Sequence, residues 1–547
     1  MRVGILFVFV DYHREGKHHR GVLQPQIGPL IAALLPAGVE VEVVNDTWED
    51  PYWDRDYDLL FISGMHSDFD RARQISHYWR RRGTKTVYGG TMASTYPHLC
   101  LPFFDAVVIG DPEGSVPLVY SDFCAGKLQP LYEANSYEPQ RVPVPRFDTL
   151  ARKQVLPLGL EATRGCPFSC EFCALTGIGT RYHVRPAASV VRDITAGRAM
   201  LRGLVPPSRL GMVVFYDNNI GGNPQYLRHL CEALEPLGIR WGSSITFNAI
   251  ANLDLVRTMS RSGCRFLFVG LESFNPDTLR DMRKYQNAIH KARKVIEQCH
   301  DHGILVMSGL MLSPQVDDLD YIRSIPERLR DCGLHVPSYV CFETPIPGTP
   351  HFQRLVAQSD PALLPNALLR DFNTYTLVVR PRKTSVEEFV DGYRWLVDAV
   401  YLRRNRIAKL VHDVPRFIRR GWYFPALLDV IDQYQEAYRS DPGRTYVAGT
   451  DREPPETHRV PLTPRDFDSE AQRNAVMDPW QVSDAEGRVL PIWLGSRRVY
   501  DGSLRQGAAA GTGLRSNGTY TALISSRSKT LSSRSSSGRS GGSPDST

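Results

Sequence analysis

Three cysteines crowd into eight residues in the run Thr163-Arg-Gly-Cys166-Pro-Phe-Ser-Cys170-Glu-Phe-Cys173. The thiolate is the metal-ligating form of cysteine, and this spacing lets all three side chains converge on one centre. A mononuclear zinc site normally takes a fourth ligand, and neither His183 nor the distant cysteines stand at zinc-like spacing. A [4Fe–4S] cluster held by three cysteines instead leaves one iron open to a substrate or cofactor. Structural zinc, or plain loop thiols, is the alternative. A second set of residues is glycine-rich: Ser63-Gly64-Met65-His66, Gly89-Gly90-Thr91 and Gly110-Asp-Pro-Glu113-Gly114. Glycine there lets backbone approach a ligand closely, with ordinary turn glycine as the alternative. No Gly-x-Gly-x-x-Gly follows the first apolar run, which disfavours a dinucleotide.

Hydrophobic patterning supplies the elements that must position these groups. Apolar runs at 3–10, 39–45, 59–63, 84–88 and 106–109 alternate with helical patterns at 27–35, 71–82 and 115–124. That alternation predicts a parallel sheet covered by helices, Rossmann-like or flavodoxin-like. The first run is short and leads directly into charged residues from Asp11, so it reads as a strand and not a signal peptide. Pro139, Pro143 and Pro145 punctuate a linker. A second series has strands at 156–161, 212–216, 240–247, 265–270, 304–311 and 336–343. Helical patterns fall between them, at 187–201, 225–237, 253–262, 287–302 and 319–332. Six βα units are too few for a closed eight-stranded barrel of about 250 residues. The expected fold is therefore α/β: a Rossmann-like domain over 1–140 and a partial (β/α)6 barrel over 150–345. A helical C-terminal extension over 346–440 and an irregular to disordered tail over 441–547 follow. The cysteine loop leaves the first barrel strand, at the end where barrel enzymes place their chemistry.

Composition narrows the class. With 42% hydrophobic and 23% charged residues in 547, the chain is neither collagen-like, wholly disordered nor a disulfide scaffold. Ten sparse cysteines suit a reducing cytoplasm. No apolar run nears the about 20 residues of a membrane span. The net charge is +6, but beyond Gly502 six basic residues face Asp545 alone. The body is close to neutral, and no nucleic-acid partner is expected. Residues 401–424 interleave arginines with Tyr401, Phe417, Trp422, Tyr423 and Phe424. They read as a solvated helical face with its aromatics packed on the barrel, or as a weak peripheral membrane contact.

The cysteine spacing, with Phe172 directly before the last cysteine, resembles the signature of the radical S-adenosylmethionine (radical SAM) superfamily. The resemblance implies that Cys166, Cys170 and Cys173 hold a [4Fe–4S] cluster whose fourth iron chelates SAM. Reduction then cleaves SAM to a 5′-deoxyadenosyl radical. It places the backbone at Phe172 near the adenine and assigns Asp217 and Asn218 to the SAM amino group. It also puts Glu272, Ser273 and Ser308, at the ends of the fourth and fifth barrel strands, on the SAM side. Taken singly, each is a strand end with polar caps.

Residues 1–125 resemble the cobalamin-binding domain fused to many radical SAM enzymes, helped by Gln24-Pro25-Gln-Ile-Gly28-Pro. The implied cobalamin contacts are Ser63, Gly64, His66, Gly89, Gly90, Thr91, Gly110 and Glu113, with the corrin facing the barrel. Asp11-Tyr-His13-Arg-Glu-Gly16 matches the cobalt-ligating motif of classical cobalamin proteins, which radical SAM members generally lack. A base-off cofactor and a solvated His13 are expected. Segments 61–66, 167–173 and 344–350 (Thr344-Pro-Ile-Pro-Gly-Thr-Pro350) are similar to the subgroup that includes the hopanoid C-2 methylases. The family implies a cobalamin-dependent C-methyltransferase acting on an unactivated carbon of a small-molecule or lipid-like substrate. Its external electron donor would be a protein such as a flavodoxin or ferredoxin. Radical cyclisation or rearrangement without net methylation, or a non-catalytic cobalamin sensor, are the rival readings.

Overall fold

The computed structural model describes residues 1–10, 26–47, 49–134, 137–150, 156, 158–358, 360–430, 446–450 and 456–494. His13, the Gln24-Pro25 entry and the charged tail beyond 494 lie outside the described residues. Strands β1 (Arg2–Phe7), β2 (Glu40–Asn45), β3 (Leu59–Gly64), β4 (Lys85–Gly90), β5 (Ala106–Gly110) and β6 (Leu131–Ala134) form one parallel sheet. Its order is β2-β1-β3-β4-β5-β6, the flavodoxin-like winding with an added edge strand. Leu59 to Ile62 are all buried, because a central parallel strand is covered on both faces.

Helices α1 (Ile27–Leu34), α2 (Phe69–Arg80) and α3 (Pro112–Cys124) supply the covers. Val3, Ile5, Leu59 and Phe61 share one core with Ile31 of α1 and Val116 and Val119 of α3. Leu6, Leu60 and Ile62, one position out of phase, pack with Phe69, Ile75 and Trp79 of α2.

The second sheet is also parallel: β7 (Leu158–Leu160), β8 (Met212–Phe215), β9 (Arg240–Ile245), β10 (Cys264–Glu272), β11 (Leu305–Leu312) and β12 (Tyr339–Phe342). The strands pair in chain order. Among the described residues β7 and β12 do not pair with each other, which makes this an open partial barrel. Helices α4 (Ala187–Met200), α5 (Pro224–Leu234), α6 (Leu253–Arg261), α7 (Pro276–Asp281), α8 (Ala292–Asp301) and α9 (Leu319–Asp331) connect the strands. Asn223 and Asn252 cap α5 and α6 by accepting from the free N–H groups of the first turn.

Helices α10 (Pro350–Val356), α11 (Val386–Tyr401) and α12 (Arg403–Ile418) follow the barrel. Phe417, Trp422, Phe424 and Leu428 pack against Leu156, Met212, Phe266 and Leu305 at the strands' N-terminal ends. The aromatic residues of 401–424 thus largely close the barrel floor. Ile407, Val411 and Ile418 stay exposed beside Arg403, Arg404 and Arg419. No helix among the described residues is long and apolar enough to cross a membrane.

Residues 456–494, part of the stretch expected to be irregular to disordered, hold short turns and one helix, Glu470–Met477. They wrap α2: Arg71 and Arg73 donate to the carbonyls of His458, Ala475 and Asp478. The ring of His77 stacks on Phe467, with centroids 4.9 Å apart. Trp493 is 1% exposed and packs edge-on to Tyr96. A few large aromatic anchors replace the periodic pattern that sequence reading requires.

Candidate active site at the facing strand ends

The cysteine loop is shaped before its first cysteine. Thr163 and Arg164 pair with Val184 and His183. Gly165 then turns at φ 79°, where a Cβ would sit 2.3 Å from the Arg181 carbonyl oxygen. Only glycine passes there. Asp217, just past β8, accepts from the backbone N–H groups of Ala162 and Thr163 at 2.8 and 2.7 Å, and from the Thr163 hydroxyl at 2.7 Å. Burial pushes its carboxyl up to about 7, against the pull of these donors. Asp217 therefore positions the loop, and its Oδ1, which accepts one bond, keeps a second lone pair.

All ten cysteines are free thiols. Cys170 is buried, and Cys166 and Cys173 are half-buried. Asn219 donates to Cys166 Sγ and Gln286 to Cys170 Sγ, both at 3.6 Å. Burial raises the Cys170 and Cys173 thiols, while Gln286 and the Lys284 cation pull Cys170 back toward thiolate. Donors aimed at sulfur are what a cluster's outer shell supplies.

Sequence reading selected Asn218, but that side chain is exposed. Its neighbour Asn219 is buried and also accepts from the Thr246 N–H at 3.2 Å. Asn219 closes the Tyr216-Asp217-Asn218-Asn219 run after the second barrel strand, whereas neither Gln286 nor Lys284 stands in a motif that spacing alone would flag.

Phe172 packs with Met282, Met311 and Cys341 inside the barrel, and the Lys284 Nζ lies 5.6 Å from its ring centroid. Glu272, at φ 66°, forms a buried ion pair with Lys284. A Cβ on Gly270 would meet both partners, so the glycine makes room for the pair. A non-glycine residue held at positive φ is strained, and such strain gathers at functional sites. Ser273 bonds the Tyr321 hydroxyl at 2.7 Å and accepts from the Asn275 N–H. These bonds tie the loop after β10 to α9 through Tyr321. Ser308 is buried, and its hydroxyl has only the Gly309 carbonyl at 3.4 Å.

The first sheet turns its own strand ends to this site. Arg164, two residues before Cys166, donates to Asp111 at 2.9 Å, to both oxygens of Glu113 at 2.8 and 3.0 Å, and to Glu161 at 2.6 Å. Its guanidinium also lies 4.1 Å from the Tyr137 ring centroid. Glu113, expected at the cobalamin site, is one jaw of this clamp. Gly348 packs against Thr95, where a Cβ would sit 2.1 Å from Thr95 Cγ2.

Several observations bear on a ligand at these loops. His66 is buried, its Nδ1 lies 3.2 Å from the Thr91 hydroxyl, and its Nε2 has no partner. Burial lowers its pKa to about 3, so the ring is a neutral donor or acceptor. The buried Ser115 hydroxyl, in the first turn of α3 behind Gly110, also has no partner. A Cβ on Gly89 would meet nothing nearer than Val108 at 4.0 Å. Gly90 differs: at φ 108° its Cβ would sit 2.5 Å from the Gly64 carbonyl oxygen, so that glycine serves sheet packing. Gly64 is less constrained, since a Cβ there would stand at ordinary contact distance, 3.4 Å from Asp68 Cβ. Open glycine surface beside unpartnered buried polar atoms fits a ligand with a polar tail.

Residues 160–325 match the Radical SAM superfamily. The chain is 24% identical over 331 residues to bacteriochlorophyllide d C-8(2)-methyltransferase of Chlorobaculum tepidum, covering 58% of this chain and 73% of that protein. It is 23% identical over 312 residues to the hopanoid C-2 methylase of Rhodopseudomonas palustris, covering 54% and 57%. Among solved structures, the fold is similar to the radical SAM methyltransferase TsrM from Kitasatospora setae, with cobalamin and a [4Fe–4S] cluster bound. The TM-score is 0.54 at 16% identity, over 73% of this chain and 88% of that one.

Proposed function

We propose that this chain, a radical SAM enzyme related to the cobalamin-dependent methyltransferases, methylates an unactivated carbon of a small, lipid-like substrate. The observation that carries the reading is the clamp of Arg164. It holds the cysteine loop of one parallel sheet against the strand-end loops of another. Ligands of α/β sheets bind at carboxyl strand ends, so two such edges face one shared space.

Cys166, Cys170 and Cys173 would hold the cluster, with Asn219 and Gln286 donating to its sulfurs. Phe172, Asn218, Glu272 and Ser308 would line the SAM side. Ser63, Gly64, His66, Gly89, Thr91, Gly110 and Ser115 would cradle cobalamin, while Gly90 keeps β3 and β4 in contact. When bound, the cluster with SAM supplies the hydrogen-abstracting radical and cobalamin supplies the methyl group. The protein's own contribution is geometric: Asp217 fixes the loop, the Arg164 clamp fixes the distance between edges, and the aromatic floor keeps the barrel closed below. Radical SAM enzymes need a reductant; a flavodoxin or ferredoxin is the proposed donor. The two named relatives act on a chlorophyllide and a hopanoid, both polycyclic and lipophilic. The exposed Ile407, Val411 and Ile418 among arginines suit weak, salt-sensitive contact with an anionic lipid surface that holds such a molecule. Incubation of the reconstituted enzyme with methyl-labelled SAM and a panel of polycyclic lipids tests the reading. Label on carbon in one of them is expected, and a substrate altered without label would refute methylation.

A further inference from the structure

Directly behind the cysteine loop lie two buried side chains with no bonded partner. Glu343 follows β12 and His351 sits in the first turn of α10; each is 1% exposed. Neither carboxylate oxygen of Glu343 and neither ring nitrogen of His351 makes a hydrogen bond. The Ser313 hydroxyl lies close to Glu343 but is itself without a bonded partner. His351 Nδ1 and Glu343 Oε1 face each other at 3.4 Å, too poorly aligned to bond. Asp281, the last residue of α7, completes the group: one ligand atom from each of the three lies within 4.8 Å of the others.

Four buried polar atoms left unpartnered in one spot carry a large desolvation cost. We propose that Asp281, Glu343 and His351 form a divalent-cation site, separate from the cysteine centre, that takes Zn²⁺ or Mn²⁺. Ligand bonds of about 2.0–2.2 Å put tetrahedral ligand atoms about 3.4 Å apart, the separation of His351 from Glu343. One imidazole nitrogen and two carboxylate oxygens suit these borderline to hard ions better than Ca²⁺ or Cu⁺. The surroundings act as an outer shell. Arg354 grips Asp281 with two N–H bonds of 3.0 Å, and each carboxylate oxygen keeps a second lone pair for a metal. The same arginine donates to Glu171 between Cys170 and Cys173 at 2.8 Å. The His351 N–H bonds the Glu171 carbonyl at 3.1 Å. A cation here would brace the 344–350 strap against the back of the cysteine loop.

The test uses the full chain with Cys166, Cys170 and Cys173 replaced by Ala, which removes thiolate binding at the cysteine loop and makes the result independent of the SAM chemistry. The protein is stripped with chelator, desalted, and titrated with Zn²⁺ and, separately, Mn²⁺. One equivalent of either metal should survive desalting and raise the melting temperature. Glu343→Gln and His351→Gln should each weaken retention at least tenfold while keeping the parent's circular dichroism. Failure of the parent to retain either metal overturns the proposal, whatever the variants do. Equal retention by a folded variant overturns it too.

Discussion

Removal of the Arg164 guanidinium tests how the two sheets are joined. In Arg164→Met an apolar chain of similar length remains, but Glu113, Glu161 and Asp111 lose their shared cation and Tyr137 loses the guanidinium over its ring. The side chains of Arg164 and Glu113 are each only 10% exposed, so their attraction is weakly screened. Breaking a buried pair by deleting one partner costs about 3–5 kcal/mol, because a charge remains buried and uncompensated. Asp111 is more than a third exposed and adds little. The expected loss is therefore about 3–5 kcal/mol, read by denaturant unfolding of the full chain. Because the clamp spans both sheets, the variant should also split one transition into two. Adding Glu113→Gln and Glu161→Gln to Arg164→Met should recover much of the loss, since no unpaired charge remains. A loss below about 1 kcal/mol, the range of exposed pairs, with a single transition retained, would show that the sheets are held together elsewhere.

Three other outcomes follow from the site. Gln286→Leu should leave iron content unchanged but move the cluster's midpoint potential to more negative values, since a lost N–H···S bond no longer stabilises the reduced form; an unchanged potential in redox titration refutes that contact. Gly89→Val should weaken cobalamin binding at least tenfold at constant melting temperature, whereas Gly90→Val should lower the melting temperature by collision with Gly64; equal behaviour of the two would argue against the cradle. His66 is held neutral with a pKa near 3 against about 6.5 unfolded, so its contribution is present above pH 6.5 and fades as pH falls. Between pH 7 and pH 5 the wild type should lose about 2 kcal/mol more than His66→Gln, and parallel denaturation profiles would refute the buried neutral ring.

How legible this was depended on whether the signal was local. The cysteine triplet is three residues on one loop, and strands such as β3 announce themselves because both faces are buried. Edge strand β6, four residues in a polar stretch, leaves no such mark. Asn218 and Asn219 are equivalent in sequence; only the turn after β8 decides which one faces Cys166. Asp217 and Ser273 sit where motif spacing put them, and the bonds their oxygens make within the fold are visible only in the structure. Asp281, Glu343 and His351 come from two helices and a strand end, a proximity that only the folded barrel creates. The 456–494 strap is anchored by Trp480 and Trp493 without periodicity, so composition alone read it as tail.

The most direct test of the central claim is product analysis after anaerobic reconstitution with iron, sulfide, cobalamin and a strong reductant. Given methyl-labelled SAM, the wild type should form both 5′-deoxyadenosine and S-adenosylhomocysteine, quantified by mass spectrometry. Cys166→Ala, Cys170→Ala and Cys173→Ala should each form no 5′-deoxyadenosine. Cleavage retained in any of the three, or 5′-deoxyadenosine formed by the wild type without any S-adenosylhomocysteine, would contradict the account.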